Sequence, residues 1–132
     1  MTMVEETDGK TTIAASELGH NILARLVEDQ VFPEEMDAYR FAIGLGLALN
    51  KRTPLANRRT KFNLGSFDRD SNVASLIAAL MPEGAGDPYR AAEELAETGF
   101  STITQSVLAG EFRFSDIFEA AKKQNEHTGG VR

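Results

Sequence analysis

Five cations fall between positions 51 and 61: Lys51, Arg52, Arg58, Arg59 and Lys61, with no Asp or Glu among them. Cations grouped in this way could neutralise phosphates and release the counterions condensed on a duplex. Thr53, Asn57 and Thr60 could add neutral phosphate contacts. The alternative is a solvated segment whose cations pair with the protein's own acids. The charge balance gives weight to both readings. The chain has 14 bases, 20 acids and a net charge of −6. With five bases in this segment, nine are left against the 20 acids, so the rest of the surface repels DNA.

Other chemistry is thinner. Asp68-Arg69-Asp70-Ser71-Asn72 opens like a calcium loop, but Val73 stands where the sharp turn needs glycine and Ala79 where a bidentate Glu is needed,. A helix cap is the better account. Gly44-Leu45-Gly46 and Gly84-Ala85-Gly86 are fragments of phosphate-binding fingerprints. The first lies in an apolar helix, where backbone N–H groups are already used, and the second lacks its strand and third glycine. His20 and His127 are the only histidines, and a surface role is expected of both. No Gly-x-Ser-x-Gly occurs, and no histidine is placed to activate a serine. The chain has no cysteine, which removes thiolate metal sites and thiol catalysis and fits a cytoplasmic protein. Glu93, Glu94 and Glu97 are most simply the solvated face of a helix. No cofactor, metal or catalytic residue is implied.

These residues are positioned by a mainly α, small multi-helix domain with a short N-terminal strand. Its length of 132 residues fits one domain,: polar tails at 1–10 and 124–132, and a single helical domain over 11–123. Residues 11–15 predict the strand, and Ser16 caps a helix carrying Leu18, Ile22, Leu23, Leu26 and Val27 to about Asp29. Pro33 opens a second helix, with Glu34, Glu35 and Asp37 at its positive end. Its second half is apolar nearly all round and therefore central. Gly44 and Gly46, costly inside a helix, imply close backbone packing, and Asn50 ends the helix. Residues 53–67 form a connection pinned by Phe62, Leu64 and Phe67. Asp70 or Ser71 caps a third helix, with Val73, Leu76, Ile77, Leu80 and Met81 on one face. After a turn at 82–86, Asp87-Pro88 restarts a helix that Gly99 stops. A short helix with Phe100, Ile103, Val107 and Leu108 follows, and a last one starts at Ser115. The acidic N-terminus has no signal-peptide character, and the longest apolar stretch, 41–49, is about half a bilayer span.

Strand, helix, turn and helix over 11–49 resemble a ribbon-helix-helix unit, in which paired strands from two chains enter the DNA major groove. The second helix of that family is similar to Ala38-Tyr39-Arg40-Phe41-Ala42-Ile43-Gly44-Leu45. The strand candidates Lys10, Thr12 and Ala14 depart from the family's base-reading side chains. A longer stretch, about 11–109, is similar to small accessory proteins of bacterial DNA sulfur-modification (phosphorothioation) systems. It rests on Phe41-Ala42-Ile43-Gly44-Leu45-Gly46-Leu47, Asn50-Lys51-Arg52-Thr53-Pro54-Leu55 and Ala96-Glu97-Thr98-Gly99-Phe100. That resemblance implies an accessory role in DNA transactions and no catalytic residues. The expectation is a non-enzymatic, homo-oligomeric protein that contacts duplex DNA through Lys51, Arg52, Arg58, Arg59 and Lys61. The alternative is an acidic adaptor or assembly subunit that meets a protein from the same operon and never touches DNA. Neither reading involves a membrane.

Overall fold

The computed structural model describes residues 11–81 and 86–108. The expected tails, most of the turn at 82–86, the helix from Ser115 and His127 lie outside them. The described elements are β1 (Thr12–Ala15), α1 (Glu17–Glu28), α2 (Glu35–Leu49), β2 (Arg59–Asn63), α3 (Leu64–Phe67), α4 (Asn72–Leu80) and α5 (Pro88–Leu108). The protein is mainly helical, with a two-stranded antiparallel sheet near the N-terminus.

Local signals set most boundaries. The Ser16 hydroxyl accepts the Gly19 N–H at 3.1 Å and caps α1,. Asn50 ends α2 in the left-handed conformation, with φ 54°. The Asn50 and Lys51 N–H groups turn back onto Leu47 and Gly46 carbonyls, which satisfies the helix end,. Asp87 accepts the Tyr89 and Arg90 N–H groups at the start of α5. Pro33, in contrast, lies outside α2, which opens at Glu35.

Several expectations are corrected. Gly99 does not stop a helix, because α5 runs unbroken from Pro88 to Leu108. The reason is packing. A methyl built on Gly99 would lie 2.7 Å from the Ala42 carbonyl carbon, and one on Gly46 2.7 Å from that of Leu95. The two glycines let α2 and α5 approach backbone to backbone, and this is the most extensive contact in the fold,. Gly44 has no such role, since a methyl there would meet nothing within 4 Å.

The second correction lies in the connection at 53–67, which contains a strand and a helical turn. β1 pairs with β2 of the same chain: Thr12 with Asn63, Ile13 with Phe62, Ala14 with Thr60 and Ala15 with Arg59. Lys61 is left over as a bulge,. Strand and helices therefore follow in the ribbon-helix-helix order, but one hydrogen-bonding edge of β1 is filled from within.

Tyr39 is the centre of the core. Its ring is fully buried and meets Phe62, Phe67 and Phe100 edge-on, with centroids 5.6, 5.2 and 5.3 Å away, the favourable geometry for aromatic quadrupoles. Leu64 and Phe67 are buried and anchor α3. On α4 only Ile77 is buried, whereas Leu76 and Leu80 are 49% and 57% exposed. Ser71 occupies the N-cap position of that helix as expected, but its side chain makes no capping bond, and Asp68 supplies the bonds instead. Its carboxylate accepts the Val73 and Ala74 N–H groups at 2.9 and 3.1 Å and the Tyr89 hydroxyl at 2.7 Å. Burial pushes the Asp68 carboxyl up, but these bonds together outweigh it and hold the group below its ordinary value,. The same contact, with burial first, pushes the Tyr89 phenol up to about 12.

Candidate functional site

The basic segment runs from α5, where residues 51–53 and Arg58 attach, into β2, and its cations are unequally placed. Arg52 Nε donates to Glu94 Oε1 at 2.9 Å. Arg58 pairs with Glu93, and Lys61 pairs with Glu35 at the start of α2. Lys51 and Arg59 are exposed and form no ion pair among the described residues. Three of the five candidate phosphate ligands are thus engaged by the protein's own carboxylates.

Backbone and hydroxyl contacts complete the attachment. The Thr53 N–H donates to the Glu94 carbonyl at 3.0 Å. The Thr98 hydroxyl donates to the Lys51 carbonyl at 3.0 Å. Its only proton is then used, so the Thr53 hydroxyl, 2.7 Å away, is the donor to Thr98,. Residues 51–53 are fixed to one face of α5 by groups spaced one turn apart, Glu94 and Thr98.

The acids on α5 are not a solvated face. Glu93 is 1% exposed and Glu97 9%. Glu93 Oε2 accepts the Ala14 N–H at 2.8 Å, while Oε1 takes the Arg58 guanidinium. Glu97 accepts the Ser16 hydroxyl at 2.7 Å. The Tyr39 hydroxyl donates to the Ala14 carbonyl at 2.6 Å. Ala14 sits beside the bulge, so its backbone groups are served by side chains of α2 and α5,. The carboxylates therefore satisfy buried donors of β1 and the α1 cap. Burial pushes the Glu97 carboxyl above its ordinary value, against the opposing Ser16 bond. Burial, helped by the charges of Glu93 and Glu97, pushes the Tyr39 phenol well up.

Position in the helix gives little signal of this. Ala91, Ala92, Ala96 and Gly99 fall within one arc of α5, about 140° wide at 3.6 residues per turn, and Glu93 and Glu97 lie outside it, so the small residues do not mark the burial of these two acids,. His20, half-buried, donates from Nε2 to the Arg59 carbonyl at 3.2 Å and ties α1 to β2. A groove of about 240 Å³ between α1 and the end of α5 is lined by Leu18, Asn21, Ile22, Arg25, Thr104, Val107 and Leu108. Among the described residues its lining contains no carboxylate. Among the described residues, no cluster of three or more His, Asp or Glu side chains is arranged to hold a metal ion, and no helix is long and apolar enough to cross a membrane. Compared with protein-family models, curated proteins and solved structures, the chain matches none.

Proposed function

We propose that the chain is a non-enzymatic, cytoplasmic accessory subunit of a bacterial DNA-modification or defence system, acting through protein contacts rather than by gripping DNA phosphates. One observation carries the choice between the two readings made from sequence: Arg52, Arg58 and Lys61 are each held by a carboxylate of the same chain. A phosphate would have to displace Glu94, Glu93 and Glu35, and displacing Glu93 would take the nearer of two cations, Arg58 and Arg90, from a buried carboxylate,. The link to DNA modification rests on the sequence resemblance. Self-association belongs to the same reading, and Leu76 and Leu80 on α4 offer apolar surface for it,.

The test has two parts. A labelled duplex titrated with protein at low salt, followed by fluorescence anisotropy, is expected to give no saturable binding. Co-expression with the products of adjacent genes is expected to give a stable co-eluting complex. Saturable duplex binding that falls steeply with salt and weakens in Lys51→Ala and Arg59→Ala would return the function to DNA contact.

A further inference from the structure

We infer that the open edge of β2 is a docking edge for an extended, acidic segment of a partner protein, which would join the sheet as a third strand. This rests on the protein-contact reading above and names the partner's chemistry. The sheet has two strands, and its two outer edges differ. On β1, side chains take the place of a neighbouring strand: Glu93 receives the Ala14 N–H and Tyr39 serves the Ala14 carbonyl. On β2, His20 holds the Arg59 carbonyl. Over 60–63 no backbone bond other than the pairing with β1 is made among the described residues. Among the described residues β2 pairs with β1, adjoins α3 and reaches α2 through Phe62 and Lys61, while Arg59, Thr60 and Asn63 are exposed. Backbone N–H and C=O groups along such an edge are a template for an added strand.

Charge selects the occupant. The edge lies in a stretch, 51–67, that contains five cations and no acid. Arg59 projects freely beside it, and Arg58, although bound to Glu93, keeps 39% of its side chain exposed. A second copy pairing β2 against β2 would bring an exposed Arg59 from each chain to the same positive edge, and like charges across a ladder are unfavourable,. Acidic side chains on an incoming strand would meet Arg59 and the exposed part of Arg58 instead. Duplex DNA would use the same charges but not the backbone edge, and this separates the two.

The test uses the full chain and a short fluorescein-labelled peptide of alternating valine and glutamate. Saturable binding is expected. It should be lost when alternate peptide amides on the pairing side are N-methylated, and absent for the valine–lysine counterpart. Arg59→Glu, at an exposed side chain, should weaken the glutamate peptide by about tenfold or more, as a reversed interfacial charge does. No binding, equal binding of the N-methylated peptide, or indifference to Arg59→Glu overturns the proposal. So does a dimer in sedimentation that the peptide dissociates, because the edge would then be filled by a second copy. The two readings fail separately. If an operon partner co-elutes but neither the peptide nor Arg59→Glu disturbs the complex, the edge assignment falls and the accessory-subunit reading stands. If duplex DNA binds and no protein does, both fall.

Discussion

Three glycines in the two central helices should respond oppositely to the same substitution. Gly44, Gly46 and Gly99 are all interior to helices, and in each case alanine raises helix propensity by about 1 kcal/mol. At Gly44 nothing opposes that gain, because the added methyl points into open space. At Gly46 and Gly99 the methyl would lie 2.7 Å from the Leu95 or Ala42 carbonyl carbon, where ordinary contact begins near 3.4 Å. The carbonyl oxygens of Leu95 and Ala42 lie closer still, so one backbone must retreat by more than about 0.7 Å,. Neither obstacle is a side chain that can turn aside, so the cost belongs at the upper end of overpacking, ~3 kcal/mol. The net expectation is a gain of about 1 kcal/mol for Gly44→Ala and a loss of about 2 kcal/mol for Gly46→Ala or Gly99→Ala. In thermal unfolding this is a rise of about 4 °C against falls of about 8 °C. The double variant Gly46→Ala/Gly99→Ala should lose less than the sum, since helices already displaced by one methyl accommodate the second more easily. Urea denaturation with unchanged slope would report the same order. If Gly46→Ala or Gly99→Ala is as stable as the parent, the close approach of α2 and α5 is not what those glycines provide.

Arg58→Ala should cost about 3 kcal/mol by leaving Glu93 buried without its main cation, and Glu93→Gln in that background should recover part of the loss, as a chemical-denaturation cycle would show. Glu97 binds its proton more tightly in the folded protein than in the unfolded chain. Its stabilising contribution is therefore fully present below the ordinary carboxyl value and lost as pH rises through the raised one. Glu97→Gln should make stability less dependent on pH in that window, and an unchanged pH profile would contradict it. The chain has two tyrosines, both pushed upward, Tyr89 to about 12. Absorbance at the phenolate band should stay flat through the usual tyrosine range in the native protein, and a normal titrating step there would be inconsistent with either burial. Thr98→Val should increase hydrogen exchange in residues 51–53, which lose their hydroxyl anchor, while leaving β2 protected.

Much of the fold was legible because it is written in local chemistry. Ser16, Asn50 and Asp87 mark helix ends by satisfying orphan backbone groups, and the apolar spacing in α1 and α2 fixes their buried faces. Asp68 was harder, because it caps from outside the helix and its partner Tyr89 is distant in sequence. β2 was obscured by its own composition. Arg59, Thr60 and Lys61 look like solvated or phosphate-binding residues, and the bulge at Lys61 breaks the alternation that marks a strand. Gly99 carried a stop signal at C-termini and a close-packing signal within helices, and only the position of α2 decides between them. The candidate site was half visible. The five cations stand out, and pairing with the protein's own acids was one reading of them. Which acids take part, Glu93, Glu94 and Glu35, depends on how β1 and α2 pack on α5, a tertiary fact.

The bulge at Lys61 makes the length of this segment a functional quantity in itself. Phe62 is anchored beside Tyr39, and Arg58 is anchored on Glu93. The extra residue between them lets both anchors seat while Lys61 swings towards Glu35. Removing a single residue between 59 and 61 would force a choice: keep the aromatic anchor and drag the guanidinium off its carboxylate, or keep the ion pair and rotate Phe62 towards water. Homologues or variants that shorten the strand here should therefore have changed Glu93 as well, because count and charge are tied together at this point in the chain.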